Sequence, residues 1–185
     1  MCPRQRHHQP EEMHMRTRIT AVALTTAAAM LGVLAVSAAP ASASVSQGYI
    51  AGSGDWRDDW GDEGPISAST RSYSNVVAMW QMILWADGYL TRSDVDCRFG
   101  AQTTAATKRW QSARGLVADG VVGARTLSRA ATRLVVYESE GWYAYDGTTD
   151  YFQLGRRTDG RWDMTLGPDQ EWELLSYTSA TFDVC

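Results

Sequence analysis

The side chains in this sequence that could do chemistry are carboxylates and aromatic rings. Glu138, Glu140, Asp163, Glu171 and Glu173 are the groups in the C-terminal part that could serve as acid and base. Glycosidic hydrolysis uses two carboxyl groups roughly 5–10 Å apart across a cleft. Glu138 with Glu140, or Glu171 with Glu173, would share one face of a strand. A segment as short as 134–185 makes a poor cleft for a polysaccharide, and the plainer reading is a solvated strand face. Asp55, Asp58, Asp59 and Asp62 could offer oxygens to calcium, but their spacing lacks the glycine and terminal glutamate of an EF-hand loop. The aromatic set is Tyr137, Trp142, Tyr143, Tyr145, Tyr151 and Trp162. Aromatic faces stack on sugar rings, and a small sheet shows alternate residues on one side. Trp142 and Trp162 read as core, and the tyrosines are open to either role.

What is missing narrows the chemistry further. All three histidines, His7, His8 and His14, precede an apolar run from Ala21 to Ala39. Arg16 and Arg18 stand before that run, and Ala41-Ser42-Ala43 follows it. A basic region, an apolar region and a small-x-small end describe a secretory signal peptide over residues 1–43. A membrane anchor is the other reading of the run; its Ala/Thr content and Pro40 favour cleavage. Met13 or Met15 could be the true start, with an over-extended frame before it. After cleavage no histidine is left, which removes Ser-His-Asp and Cys-His systems and the usual zinc sites. Cys2 leaves as well, and Cys97 and Cys185 are expected to pair as one disulfide in an oxidising compartment. Closing a loop of that size contributes roughly 4–5 kcal/mol on a loop-entropy basis. No catalytic residue, metal or cofactor is therefore nominated. The leader takes four of the 17 basic and two of the 21 acidic residues, leaving 13 against 19, a net charge of −6. That balance disfavours nucleic acid and anionic lipid as partners.

The elements that would position these residues follow from composition and period. Residues 44–71 are rich in Gly, Ser and Asp without a period, and read as a flexible acidic arm carrying Trp56 and Trp60. Either ring could dock on a later domain or stack on a sugar. A helix is expected from Asn75 to Gly88, capped by Ser74 or Asn75, with Val76, Trp80, Ile83 and Leu84 on one face. A second fits Gln102 to Arg114, with Thr103, Ala106, Trp110 and Ala113 on one side, and a third fits Ala124 to Arg133. From residue 134 to 185 the period shifts to short aromatic and β-branched runs separated by Gly/Asp turns, among them Asp159-Gly160. These predict an antiparallel meander of four or five strands.

One phrase occurs twice. Asp96-Cys97-Arg98-Phe99-Gly100-Ala101-Gln102-Thr103 and Asp119-Gly120-Val121-Val122-Gly123-Ala124-Arg125-Thr126 share the frame Asp-x-x-apolar-Gly-Ala-x-Thr. Each copy reads as a loop-to-helix junction whose Asp bonds nearby backbone N–H groups and whose apolar residue plugs the core.

These residues, with Gln81, Leu84, Gly88-Tyr89, Ala106, Trp110-Gln111, Gly115-Leu116 and Leu127, resemble the three-helix bacterial peptidoglycan-binding domain over residues 72–133. Two departures stand out: Cys97 replaces the usual Gly after the first Asp, so the turn there could differ, and Trp110 replaces the usual Phe. The resemblance implies binding to the wall polymer, through glycan or stem peptide, without catalysis by this region. Gln81, Tyr89, Gln111, Trp80 and Trp110 are the candidate ligand contacts, with Tyr89 the foremost for exposed stacking and the two Trp residues also explicable as core. The fold class expected is α+β, a three-helix domain followed by a small antiparallel β meander (134–185). The expected function is that of a secreted, wall-associated binding protein without enzymatic activity. The β extension could reach a second protein partner. The rivals are a small cell-wall hydrolase using the tail carboxylates and a secreted protein-interaction or inhibitor module.

Overall fold

The computed structural model describes residues 47–185. The leader assigned to residues 1–43, with its cleavage site, lies outside the described residues. The helices are α1 (Asn75–Ala86), α2 (Ala101–Ala113) and α3 (Ala124–Ala131), with a short 3-10 turn at Arg92–Asp94 that the sequence presents only as a polar connection. A five-stranded antiparallel sheet follows: β1 (Leu134–Val136), β2 (Trp142–Asp146), β3 (Tyr151–Arg156), β4 (Trp162–Met164) and β5 (Glu173–Leu174). The strands pair in chain order, as a meander must when each connection is a short turn. The α+β class expected from the sequence is the class observed.

Helix α1 begins where expected, with the Ser74 hydroxyl accepting from the Val77 N–H at 3.3 Å. It ends with Gly88 in the left-handed region that glycine enters freely. Its burial goes beyond one face. Every residue of α1 except Trp85 is buried, because an apolar helix without charges can be wrapped on all sides. On α2 the buried seam is Thr103, Ala106, Thr107, Trp110 and Gln111, and Ala113 is exposed instead of joining it.

The sheet register decides which side chains face the helices. Tyr143 stands opposite Leu154, and Leu154 opposite Met164; Tyr145 stands opposite Phe152. All five are buried, so this is the inner face. The alternate positions, among them Val135, Trp142, Ala144, Tyr151 and Gln153, make the outer face.

The acidic arm, expected to be flexible, is packed against the inner face over residues 47–71. Ile50 and Trp60 are fully buried, and Trp60 meets Trp162 edge-on with ring centroids 5.6 Å apart. Trp56 lies 4.7 Å from Tyr143. Backbone bonds hold Ile50 between Leu175 and Trp162, at 2.9 and 3.0 Å. Asp59 receives Arg156 Nε at 2.6 Å and Trp162 Nε1 at 2.8 Å. Polar composition hides this packing because Asp59, the buried Asp of the arm, is answered by partners far along the chain. The Cys97–Cys185 disulfide forms as expected, 88 residues apart in sequence.

Candidate ligand-binding surface

The repeated phrase folds into two equivalent junctions, each locked by a buried glutamine. Gln81 Nε2 donates to Asp96 Oδ1 at 2.8 Å, the Arg98 carbonyl at 3.0 Å and Thr103 Oγ1 at 3.1 Å. Its Oε1 accepts from the Asp96 and Cys97 N–H groups at 3.1 and 2.9 Å. Gln111 repeats this with Asp119 Oδ1, the Val121 carbonyl and Thr126 Oγ1, and accepts from the Gly120 N–H at 2.9 Å. Each loop Asp also accepts from a backbone N–H two residues on, Arg98 in one loop and Val121 in the other. Phe99 and Val122 are the buried plugs. Cys97 has φ +64° where Gly120 has φ +78°, so the substituted residue keeps the glycine-like turn.

This geometry buries four of the five expected contacts. Gln81 and Gln111 are buried, and their amides are spent on the loops. Trp80 and Trp110 are fully buried, 5.0 Å apart and edge-on. Trp80 Nε1 donates to Thr107, and Trp110 Nε1 to Asp87. Tyr89 is half-buried against the core with the Arg114 guanidinium 5.8 Å from its ring. The five residues form the framework of the helical region, and a Gln preceding an Asp-x-x-apolar-Gly frame was the sequence signal for a loop lock.

Asp87, at the end of α1, joins this framework to the sheet. Its carboxylate receives Trp110 Nε1, Arg114 Nη2 at 2.6 Å, the Tyr145 hydroxyl at 2.7 Å and the Thr148 N–H and hydroxyl. Burial pushes its pKa up, but the bonds from Tyr145, Trp110 and Thr148 and the charge of Arg114 outweigh that and hold it below the usual value. Burial and the same carboxylate push the Tyr145 phenol up, so it stays a donor.

Open aromatic surface lies on the outer face of the sheet. Trp142 is 47% exposed and Tyr151 52%, and Tyr137 is exposed too. Tyr143, Tyr145 and Trp162 are core, whereas Trp142, which the sequence placed in the core, faces solvent. Tyr137 and Tyr151 stack 6.2 Å apart, and between β1 and β3 Ala144 pairs in register with Val135 and Gln153. The Tyr137 hydroxyl pushes the Tyr151 phenol up by hydrogen bonding. Trp142 meets Trp172 edge-on at 5.1 Å. A side chain at Gly155 would strike Asp163 and approach Trp172, so the glycine there lets both lie across the sheet.

Tyr151 also borders a groove of about 370 Å³ where α1, the 3-10 turn, β3 and the segment after β4 meet. Trp85, Arg92, Asp150, Gln153 and Thr165 line it. The Arg92 guanidinium lies 5.8 Å from the Trp85 ring centroid and donates to the Leu166 carbonyl. Partial burial lowers its pKa, though guanidinium remains charged.

The carboxylates weighed for hydrolysis are exposed or partnered. Glu138, Glu140 and Glu171 are exposed, Asp163 is paired with Arg157 at 2.7 Å, and Glu173 accepts from Thr181. Asp58, Asp59 and Asp62 line a separate hollow of about 470 Å³ with Asp159. Among the described residues no group of three or more His, Cys, Asp or Glu is placed to hold a metal. No helix among them is long and apolar enough to cross a membrane.

Residues 73–129 match the family model "Putative peptidoglycan binding domain", the family that the sequence resembles. The match supports peptidoglycan as a partner and association with the cell wall. It ends before the sheet, so the aromatic face falls outside it. Searches of curated proteins and of solved structures find no match to the chain.

Proposed function

We propose that this chain is a secreted, non-catalytic peptidoglycan-binding protein that stays with the cell wall. The observation that carries the reading is the family match over residues 73–129, which covers both glutamine-locked junctions. Three further features support it. Exposed rings on the sheet offer stacking surface of the kind that sugars use. The carboxylates weighed for hydrolysis are exposed at Glu138, Glu140 and Glu171, and Asp163 and Glu173 are engaged by Arg157 and Thr181. A disulfide suits an oxidising, extracytoplasmic setting.

The test is co-sedimentation of the mature protein (residues 44–185) with purified insoluble peptidoglycan, alongside release of soluble fragments over time. The expected result is protein in the pellet and no release above background. Protein left in the supernatant would overturn the binding reading. Steady release that disappears in Glu138→Gln or Glu171→Gln would overturn its non-catalytic half.

A further inference from the structure

Three features of the molecule are unused by that reading: the acidic hollow at Asp58, Asp62 and Asp159, the outer sheet face, and the groove beside Tyr151. The hollow is only a cluster of acids, and Asp59 in it already answers Arg156 and Trp162. The sheet face alone presents rings without a cation to set a ligand's orientation. The groove has both, because Tyr151 belongs to the face and to the groove at once.

The groove contains one cation whose charge is not answered. Arg92 gives one N–H to the Leu166 carbonyl and lies over Trp85, and no carboxylate is within ion-pair reach of it among the described residues. A guanidinium has five N–H donors in a fixed fork that matches a carboxylate. Asp150 lines the same groove without pairing to Arg92, and one of its oxygens accepts from the Tyr151 N–H at 2.8 Å. Its other oxygen and Gln153 are suited to sugar hydroxyl and amide groups. A half-buried cation, a ring open to solvent, an amide and a carboxylate that accepts from hydroxyls together fit a ligand that is a sugar and an acid in one residue.

We propose that this groove binds the glycan strand at N-acetylmuramic acid residues that carry no stem peptide, where the lactyl carboxylate is free, with Arg92 on that carboxylate and Tyr151 under a pyranose ring. This rests on the peptidoglycan reading above and extends the contact from Arg92, inside the family-matched segment, to Tyr151 on the sheet beyond it. The neighbouring Tyr137 extends the stacking surface by one ring, enough for the next sugar of the strand.

The experiment titrates three soluble probes into the mature protein by calorimetry: peptide-free glycan strands of alternating N-acetylglucosamine and N-acetylmuramic acid, the same strands with their carboxylates converted to methyl amides, and chitotetraose. The native strands are expected to bind about tenfold tighter than the amidated ones, the order of one charge-assisted hydrogen-bond pair. Arg92→Gln should erase that preference while leaving the weaker binding of amidated strands in place. Tyr151→Ala, at an exposed position, should weaken all three probes. Equal affinity for native and amidated strands overturns the proposal on the wild-type protein alone, whatever Arg92→Gln does to folding. So does unchanged affinity in Tyr151→Ala. Co-sedimentation with whole peptidoglycan separates the two failures. Wild-type protein that pellets but shows no preference for the native strands refutes the groove only, and wild-type protein that does not pellet refutes the wall-binding reading as well.

Discussion

Changing Gln81 to glutamate tests whether the glutamine is a lock or a filler. The two side chains have the same shape, so no cavity forms. The difference lies in three bonds: the amide nitrogen gives to Asp96 Oδ1, the Arg98 carbonyl and Thr103 Oγ1 at 2.8–3.1 Å. A carboxylate there would face two oxygens that cannot donate, one of them charged. Thr103 can turn its hydroxyl to donate, so it is spared. An orphaned buried group costs about 1–3 kcal/mol, and two of them with added like-charge repulsion give about 3–5 kcal/mol. That is a large part of the roughly 5–15 kcal/mol that holds a domain folded. The loss should also depend on pH. Burial and Asp96 would raise the pKa of the introduced carboxyl in the folded state above its unfolded value of about 4.3. The variant is therefore most stable below that value and loses stability as pH rises through the folded one. Urea unfolding followed by circular dichroism, at pH 7 and near pH 4, measures both effects. A Gln81→Glu variant that stays within about 1 kcal/mol of wild type at pH 7, the size of one ordinary hydrogen bond, would show that Gln81 does not lock the loop. So would a deficit that does not shrink in acid.

Two further outcomes are expected. Cys97 sits at φ +64° because Gln81 and the disulfide hold it there, and a non-glycine residue in that region costs roughly 1–2 kcal/mol. Cys97→Gly and Cys97→Ala both lose the bridge, but Gly should retain about 1 kcal/mol more stability in urea unfolding; equal midpoints would mean the turn is unstrained. Asp87 has a lowered folded pKa, so its contribution is present above the unfolded value of about 3.9 and lost as pH falls through the folded one. Asp87→Asn should be destabilised at pH 7 and show a shallower acid limb than wild type in thermal melts taken from neutral pH into strong acid, and parallel limbs would refute the assignment.

How much of this was legible in the sequence depends on how far each contact reaches along the chain. Ser74 bonds Val77, Gly88 closes α1, and Asp159-Gly160 turns β3 into β4: these are local, and the sequence states them. The register of β2 on β3 follows from alternation once the turn is fixed. Of the two readings of the arm, flexible or docked through its Trp residues, the sequence could not choose because the arm's partners are remote. Asp59 meets Arg156 and Trp162 at sequence separations of 97 and 103, and no composition rule can pair them. The placement of the expected ligand contacts was illegible for a different reason. A Gln or Trp within a recognised frame is equally compatible with touching a ligand and with building the frame. Only burial separates these, and it puts Gln81, Gln111, Trp80 and Trp110 inside.

The same logic explains why the open rings lie where they do. A helix as apolar as α1 must be covered on every side, and α2, the sheet's inner face and the tail cover it. Asn75 at its start holds the tail through Leu174 and Thr181, and Asp87 at its end holds α2 and the sheet. Once α1 is sealed at both ends, the helical region leaves Tyr73 exposed and Trp85 and Tyr89 half-buried as its open aromatic surface. Tyr89 is the one ring there that the sequence singled out for stacking, and it lies half-buried under Arg114. The sheet has only one face to give to the core, and its outer face has no covering layer among the described residues. Rings at alternate positions of β2 and β3, and just beyond β1, are therefore displayed by the same alternation that buries Tyr143 and Tyr145. A helical segment that spends its aromatic residues on its own core can still serve in binding if it fixes a neighbouring sheet, and the Asp87 junction is the means by which it does so.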